Sequence, residues 1–203
     1  MDGLTAVLVA VILAYGLRAK ESRERIQLLG GYLQAFEIER LLEQLHTGYQ
    51  RALNESQAGT RELIWQQLES AERQLARQVQ DLAKAFAEVP ADKARTSKWA
   101  GMLPYIARWW PQGTFDMREL LRIHAQGLAD TAANAEGLSS KQKAFRMLAE
   151  LLLLQHSCHW FCKSRSVATA RMVLRHQTAP EQAVDAVSPS TRAAYLQLLG
   201  EGA

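Results

Sequence analysis

The densest gathering of side chains able to hold a metal or act as a nucleophile is His156-Ser157-Cys158-His159-Trp160-Phe161-Cys162. On a helix Cys158 and Cys162 stand one turn apart, and His159 neighbours Cys162. Two thiolates and an imidazole form a soft donor set for zinc or copper, with a fourth ligand from elsewhere. Cys158, His159 and Cys162 are therefore the candidate metal ligands, and the 156–162 cluster is the candidate centre of a metal- or thiol-dependent activity. No second ligand pair follows at finger-like spacing, and the pair is not Cys-x-x-Cys. The cluster also comes one residue after the run Leu151, Leu152, Leu153 and Leu154. Free cysteine is among the most buried residue types, so core packing is the preferred expectation and no cofactor is expected.

Glu43-Gln44-Leu45-His46 matches the Glu-x-x-His half-motif of di-iron bundles, which need a second copy and two further inward glutamates. The chain has one copy, so a solvated helix face is expected. Lys163, Arg165, Arg171 and Arg175 make the last long helix basic. That allows a nucleic-acid or anionic-lipid surface, but single-stranded nucleic acid asks for more charge with aromatics interleaved on the same face. Nucleic-acid binding is not expected. Phosphate-loop, dinucleotide, zinc-protease and serine-hydrolase motifs are absent from the sequence, so no catalytic residue is assigned and an enzyme is not the preferred reading.

Trp99, Tyr105, Trp109 and Trp110, with Arg108 among them, form an aromatic-rich patch. Tryptophan is enriched both at bilayer interfaces and at protein interfaces. The competing reading is core, because Trp99, Met102, Ile106 and Trp109 share one face of a helix. Trp109 and Trp110 cannot both point inward.

Helices must position all of these groups. Ala, Leu, Gln, Glu and Arg dominate the sequence, all good helix formers, and no alternating strand pattern is evident. The fold class expected is all-α: an N-terminal transmembrane helix, a long antiparallel hairpin and a compact bundle. Residues 4–17 (LTAVLVAVILAYGL) form an uncharged apolar run, and the next eight residues carry Arg18, Lys20, Arg23 and Arg25. Residues 1–17 reach roughly 25 Å against about 30 Å of hydrocarbon. Local thinning or snorkelling of Arg18 and Lys20 closes the gap, and Tyr15 suits the interface. The aliphatic side chains favour insertion by roughly 3–4 kcal/mol. A basic flank after the helix puts the amino terminus outside and the body in the cytoplasm. The expected address is the inner (plasma) membrane, with residues 4–17 contacting the bilayer.

Three rivals fit less well. A cleaved signal peptide wants a basic start, whereas Met1-Asp2-Gly3 carries one acidic side chain. A core helix of a soluble protein suits the short length. An amphipathic surface helix needs a polar face that residues 7–14 lack. The net charge of +3 and only two cysteines call for neither a polyanionic partner nor a disulfide framework, and fit a reducing compartment.

The domain division expected is 1–18 anchor, 19–90 hairpin and 97–203 bundle. The first hairpin helix covers about 21–53, with a kink or swivel at Gly30-Gly31 that costs roughly 2 kcal/mol relative to alanines. The second covers 60–89 and carries a coiled-coil-like seam: Ile64, Leu68, Ala71, Leu75, Val79, Leu82, Phe86 and Val89. Leu68, Leu75 and Leu82, with Trp99, Trp109 and Trp110, are the residues expected to meet a protein partner or a second copy. Beyond a boundary at 91–97, helices are expected at 98–110, from 114 or 116 to 133, from 139 or 140 as the central buried helix, at 167–176, and after Pro180 and Pro189, where proline suits the first helical position.

An anchor followed by a helical body, with Ala-Glu-Gly-Leu-Ser at 135–139 opening a long apolar helix, resembles membrane-tethered TerB-type helical modules. The resemblance covers one loop and one helix, the acidic metal-binding pairs of that family have no assignable counterparts here, and it is not adopted. The reading taken forward is a single-pass membrane-anchored helical protein acting in protein–protein interaction or scaffolding.

Overall fold

The computed structural model describes residues 3–99 and 104–201. α1 (Gly3–Leu33) is one unbroken helix of 31 residues, about 46 Å long at 1.5 Å per residue. Its first half presents Leu4, Val7, Leu8, Val11, Ile12, Leu13 and Tyr15 outward, uncovered by any other part of the protein. Among the described residues it is the one helix long and apolar enough to cross a membrane. From Glu21 onward the same helix lies against the body, where Glu21, Arg25 and Leu29 are buried.

The chain does not break at Gly30-Gly31. α1 continues to Leu33 and the turn falls at 34–37. Tertiary packing explains the difference: Leu29 is buried in the core, and the Tyr32 ring lies edge-on to Phe86 at 5.3 Å. These contacts offset the glycine cost. The turn forms where the Glu37 N–H finds a partner across the fold, donating to Gln78 Oε1 at 2.7 Å.

α2 (Ile38–Asn54) and α3 (Ala58–Phe86) are joined by three residues and pack side by side; the first arm of this hairpin starts at Ile38, whereas the sequence predicts 21–53, because residues 21–33 belong to α1. Each buries a stripe spaced by threes and fours: Ile38, Leu41, Leu45, Tyr49 and Ala52 on one; Ile64, Leu68, Ala71, Leu75, Val79, Leu82 and Phe86 on the other. Gly48 sits at their closest approach, where any Cβ would run into Leu68. The Tyr49 hydroxyl donates to Glu72 at 2.6 Å, and Glu72 pairs with Lys143 at 2.5 Å, which ties both helices to the later helix that carries Lys143.

The opposite side of α3 packs on α6 (Met117–Ala133). One apolar core takes in side chains from Leu29 to Leu199. Between α3 and α6 the chain departs from the expected helix at 98–110. It makes a single turn, α4 (Ala91–Ala94), then β1 (Arg95–Ser97), the four-residue α5 (Ile106–Trp109), a 3-10 turn at Pro111–Gly113 and β2 (Thr114–Asp116). β1 and β2 pair antiparallel, Thr96 opposite Phe115. The ribbon is held by its surroundings: Trp160 Nε1 donates to Ser97 O at 2.8 Å, and Arg95 Nε donates to Thr114 Oγ1 at 2.8 Å. Of the expected helix's apolar residues, Ile106 is buried while Trp99 and Trp109 are exposed; Met102 and Leu103 lie outside the described residues.

α7 (Ser140–Cys162) is the central helix and touches α1, α2, α6, α8 (Arg165–His176) and α9 (Pro180–Ala186). It starts where the sequence places it, with Ser139 and Gln142 forming a reciprocal capping box. α9 and α10 (Pro189–Leu199) both begin at the expected prolines, and α10 ends at Gly200 with φ 72°.

Candidate functional site

α7 turns the 156–162 cluster in several directions. Trp160, Phe161, His156 and Ser157 point into the core, while Cys158 and Cys162 are half-buried free thiols. Burial pushes the Cys158 thiol up to about 12 and Cys162 up to about 11, so both stay protonated at neutral pH and are poor nucleophiles. Among the described residues no three His, Cys, Asp or Glu side chains are placed to hold a metal ion. His46 contacts Gln50 at 3.2 Å on the outer side of α2, and Glu43 is exposed.

A polar layer that spacing alone did not single out lies between α6, α7 and α10. His124 Nε2 meets Ser157 Oγ at 2.8 Å. The Ser157 hydroxyl donates to Leu153 O at 2.9 Å, so its proton is committed and the imidazole N–H must donate to it. That is the reverse of nucleophile activation. Glu150 accepts from Ser188 N at 3.0 Å and reaches the α6 backbone only because residue 127 is glycine: a Cβ there would fall 2.6 Å from Glu150 Oε2. His124, Glu150 and Ser157 are all fully buried, so the layer joins helices away from solvent. The signals were faint but present: His124 falls on the stripe Leu120, His124, Leu128, and Glu150 abuts the leucine run.

The basic series on and around α8 divides. Arg165 pairs with Glu201 at 2.7 Å and lies over the Trp160 ring at 5.0 Å. Arg171 and Arg175 instead join His156, His159 and His176 around a groove of about 330 Å³ between α7 and α8. Burial, then these two arginines, hold His159 below its ordinary range.

The most elaborate constellation joins α1 to the body. Arg25 belongs by sequence with Arg18, Lys20 and Arg23 to the basic flank of the apolar run. It is instead buried, 6% exposed, and points away from solvent into the fold. Its Nη2 pairs with Glu21 Oε1 at 2.5 Å and donates to Arg95 O at 3.1 Å. Nη1 donates to Thr96 Oγ1 at 2.7 Å, and the guanidinium lies 5.6 Å from the Phe161 ring centre. Helical spacing explains the reversal. Glu21, Arg25 and Leu29 are four apart and share the inward stripe, while Lys20 and Arg23 lie outside it and are exposed.

Glu21 is the second half of this clamp. Its Oε2 accepts the Tyr105 N–H at 3.0 Å, and the Tyr105 hydroxyl donates to Glu24 at 3.3 Å. Tyr105 has φ 53°, a left-handed conformation costing a non-glycine residue on the order of 1–3 kcal/mol unless its surroundings enforce it. Here the Glu21 carboxylate does so. Ser22 Oγ donates to Cys162 O at 2.8 Å, satisfying a carbonyl that the end of α7 leaves free. The tryptophans follow on the same loop. Trp99 and Trp110 lie against each other with ring centres 5.5 Å apart and planes inclined by 49°, and Trp99, Trp109 and Trp110 are 57, 86 and 45% exposed. Leu68, Leu75 and Leu82, expected with them, are filled from within the chain by α2 and α6.

The fold and this site define a class: an all-α protein in which one long apolar helix is bolted to a helical body by a buried ion pair. No family model matches the chain, nor does any curated protein or solved structure.

Proposed function

We propose that this is a single-pass membrane protein whose helical body is fixed against the cytoplasmic surface of the bilayer and serves in protein–protein interaction. The observation carrying this reading is α1. Its uncovered apolar half runs without a joint into a half whose Glu21, Arg25 and Leu29 belong to the body. A contiguous apolar surface of this size is rare on soluble monomers and marks a membrane or partner contact. Arg18, Lys20 and Arg23 follow the apolar run, and that basic flank favours a cytoplasmic body. Support for the interaction role comes from α8, where Val167, Val173 and Leu174 are exposed beside Arg171 and Arg175.

The test is carbonate extraction of membranes combined with reporters fused at the carboxyl end. The chain is expected to stay in the pellet, with the reporter active only when it is one that works in the cytoplasm. Release into the supernatant, or activity of a periplasm-dependent reporter, overturns the reading.

A further inference from the structure

We propose that the loop bearing Trp99, Trp109 and Trp110 is a second membrane contact, seated in the anionic head-group layer of the bilayer that α1 crosses; this rests on the anchor reading above.

The height of the loop is fixed by the clamp. Glu21, which holds Tyr105 N–H, lies four residues past Leu17, the last residue of the apolar run, or about 6 Å along the axis. Each polar layer of a bilayer is itself about 5–8 Å deep beyond the hydrocarbon. A loop tied at Glu21 therefore stands at head-group depth, and the ion pair with Arg25 keeps it from swinging away. Tyr105, turned into its left-handed conformation, leads directly into α5, at whose end Trp109 projects. An indole with this much exposure is unfavourable in water but suits a zone that is apolar on one side and wet on the other.

The surrounding charge agrees. Lys20 and Arg23 flank α1 at this level, Lys98 and Arg108 belong to the loop, and Arg165 borders the same groove as Trp99 and Trp110. Of the acidic groups nearby, Glu21 pairs with Arg25, Glu24 with Lys20 at 3.9 Å and Glu201 with Arg165, while Asp92 shares the cavity beside Tyr105 with Lys93; Arg23, Lys98 and Arg108 remain as the excess. The surface that results is cationic with protruding indoles, which is the chemistry that anionic lipid head groups attract. A protein partner would use the same tryptophans without lipid contact, and the experiment separates the two.

Full-length protein is reconstituted into phosphatidylcholine–phosphatidylglycerol liposomes, with and without lipids brominated near the glycerol end of their acyl chains, and floated on a density gradient. Three of the five tryptophans are on this loop. In floated wild-type protein, brominated lipid is expected to extinguish most of their emission. The triple variant W99F/W109F/W110F, which keeps Trp65 and the buried Trp160, is expected to lose much less. Equal fractional quenching of the two floated proteins overturns the proposal and leaves the anchor standing. Protein that does not float removes the anchor, and this proposal with it.

Discussion

Arg25 and Thr96 are 71 residues apart in the chain and 2.7 Å apart in space. That bond, with the neighbouring Glu21 and Arg95 contacts, is where the long apolar helix stops being a separate object. The pair has almost no access to water, and a buried ion pair owes its worth to being complete.

Removing one partner strands the other. Arg25→Met leaves the Glu21 carboxylate buried opposite a thioether, and the expected loss is about 3–5 kcal/mol. The paired variant E21Q/R25M is expected to recover much of it, because no lone charge remains. Denaturant titration in detergent checks both, and a double variant no better than the single one refutes the account.

Gly127 is required by its neighbours. Gly127→Ala places a methyl against Thr191 and 2.6 Å from Glu150 Oε2. Overpacking of this kind costs about 1–3 kcal/mol. Gly31→Ala has open space around the new methyl and gains helix propensity, so it is expected to be neutral or stabilising by up to about 1 kcal/mol. Thermal melts of the two variants should move in opposite directions.

Acid should loosen the core before it reaches the carboxylates. Burial lowers His124 from 6.5 to about 3 and His156 to about 4. The unfolded chain takes up protons near pH 6.5 that the folded chain refuses, so their stabilisation is complete above 6.5 and drains away as pH falls. Glu150 opposes this. Burial raises it, and its contribution grows as pH falls. These two imidazoles, with His159 and His176 lowered in the same sense, outweigh one carboxyl, leaving a net loss on the order of 1 kcal/mol per pH unit between about 6 and 5. Urea midpoints across that range measure it, and His124→Gln should flatten the curve.

The thiols should be slow. Raising Cys162 from 9.0 to about 11 cuts its thiolate fraction at pH 8 about 100-fold, and Cys158, pushed to about 12, falls further. Mass spectrometry after a timed maleimide pulse should find both largely unmodified in folded protein and both labelled in denaturant. Rapid labelling of the folded chain would show that α7 presents them differently.

The long helices were legible because each buries a stripe that the sequence spells out, as in Ile64 to Phe86 on α3, and because Ser139, Pro180 and Pro189 carry start signals set by their own chemistry. The ribbon of β1 and β2 was not. Three residues on each side cannot display an alternation, and their pairing depends on Trp160, more than sixty residues away. The glycine pair misled for the same reason: its local cost is real, but Leu29 and Tyr32 repay it from across the fold. Of the site, the tryptophans were visible as a composition. The fate of Arg25 was not, since an arginine after an apolar run reads alike whether it faces lipid or protein. Only the four-residue step shared with Glu21 and Leu29 distinguishes it.

Because α1 has no joint between its apolar half and the clamp, it would act as a lever if its apolar half crosses a bilayer as proposed. Apolar helices answer a change in hydrocarbon thickness by leaning. A rod bolted at Glu21 and Arg25 carries its load through the same angle, so on the proposed anchoring the attitude of the α8 face would follow the thickness of the surrounding bilayer.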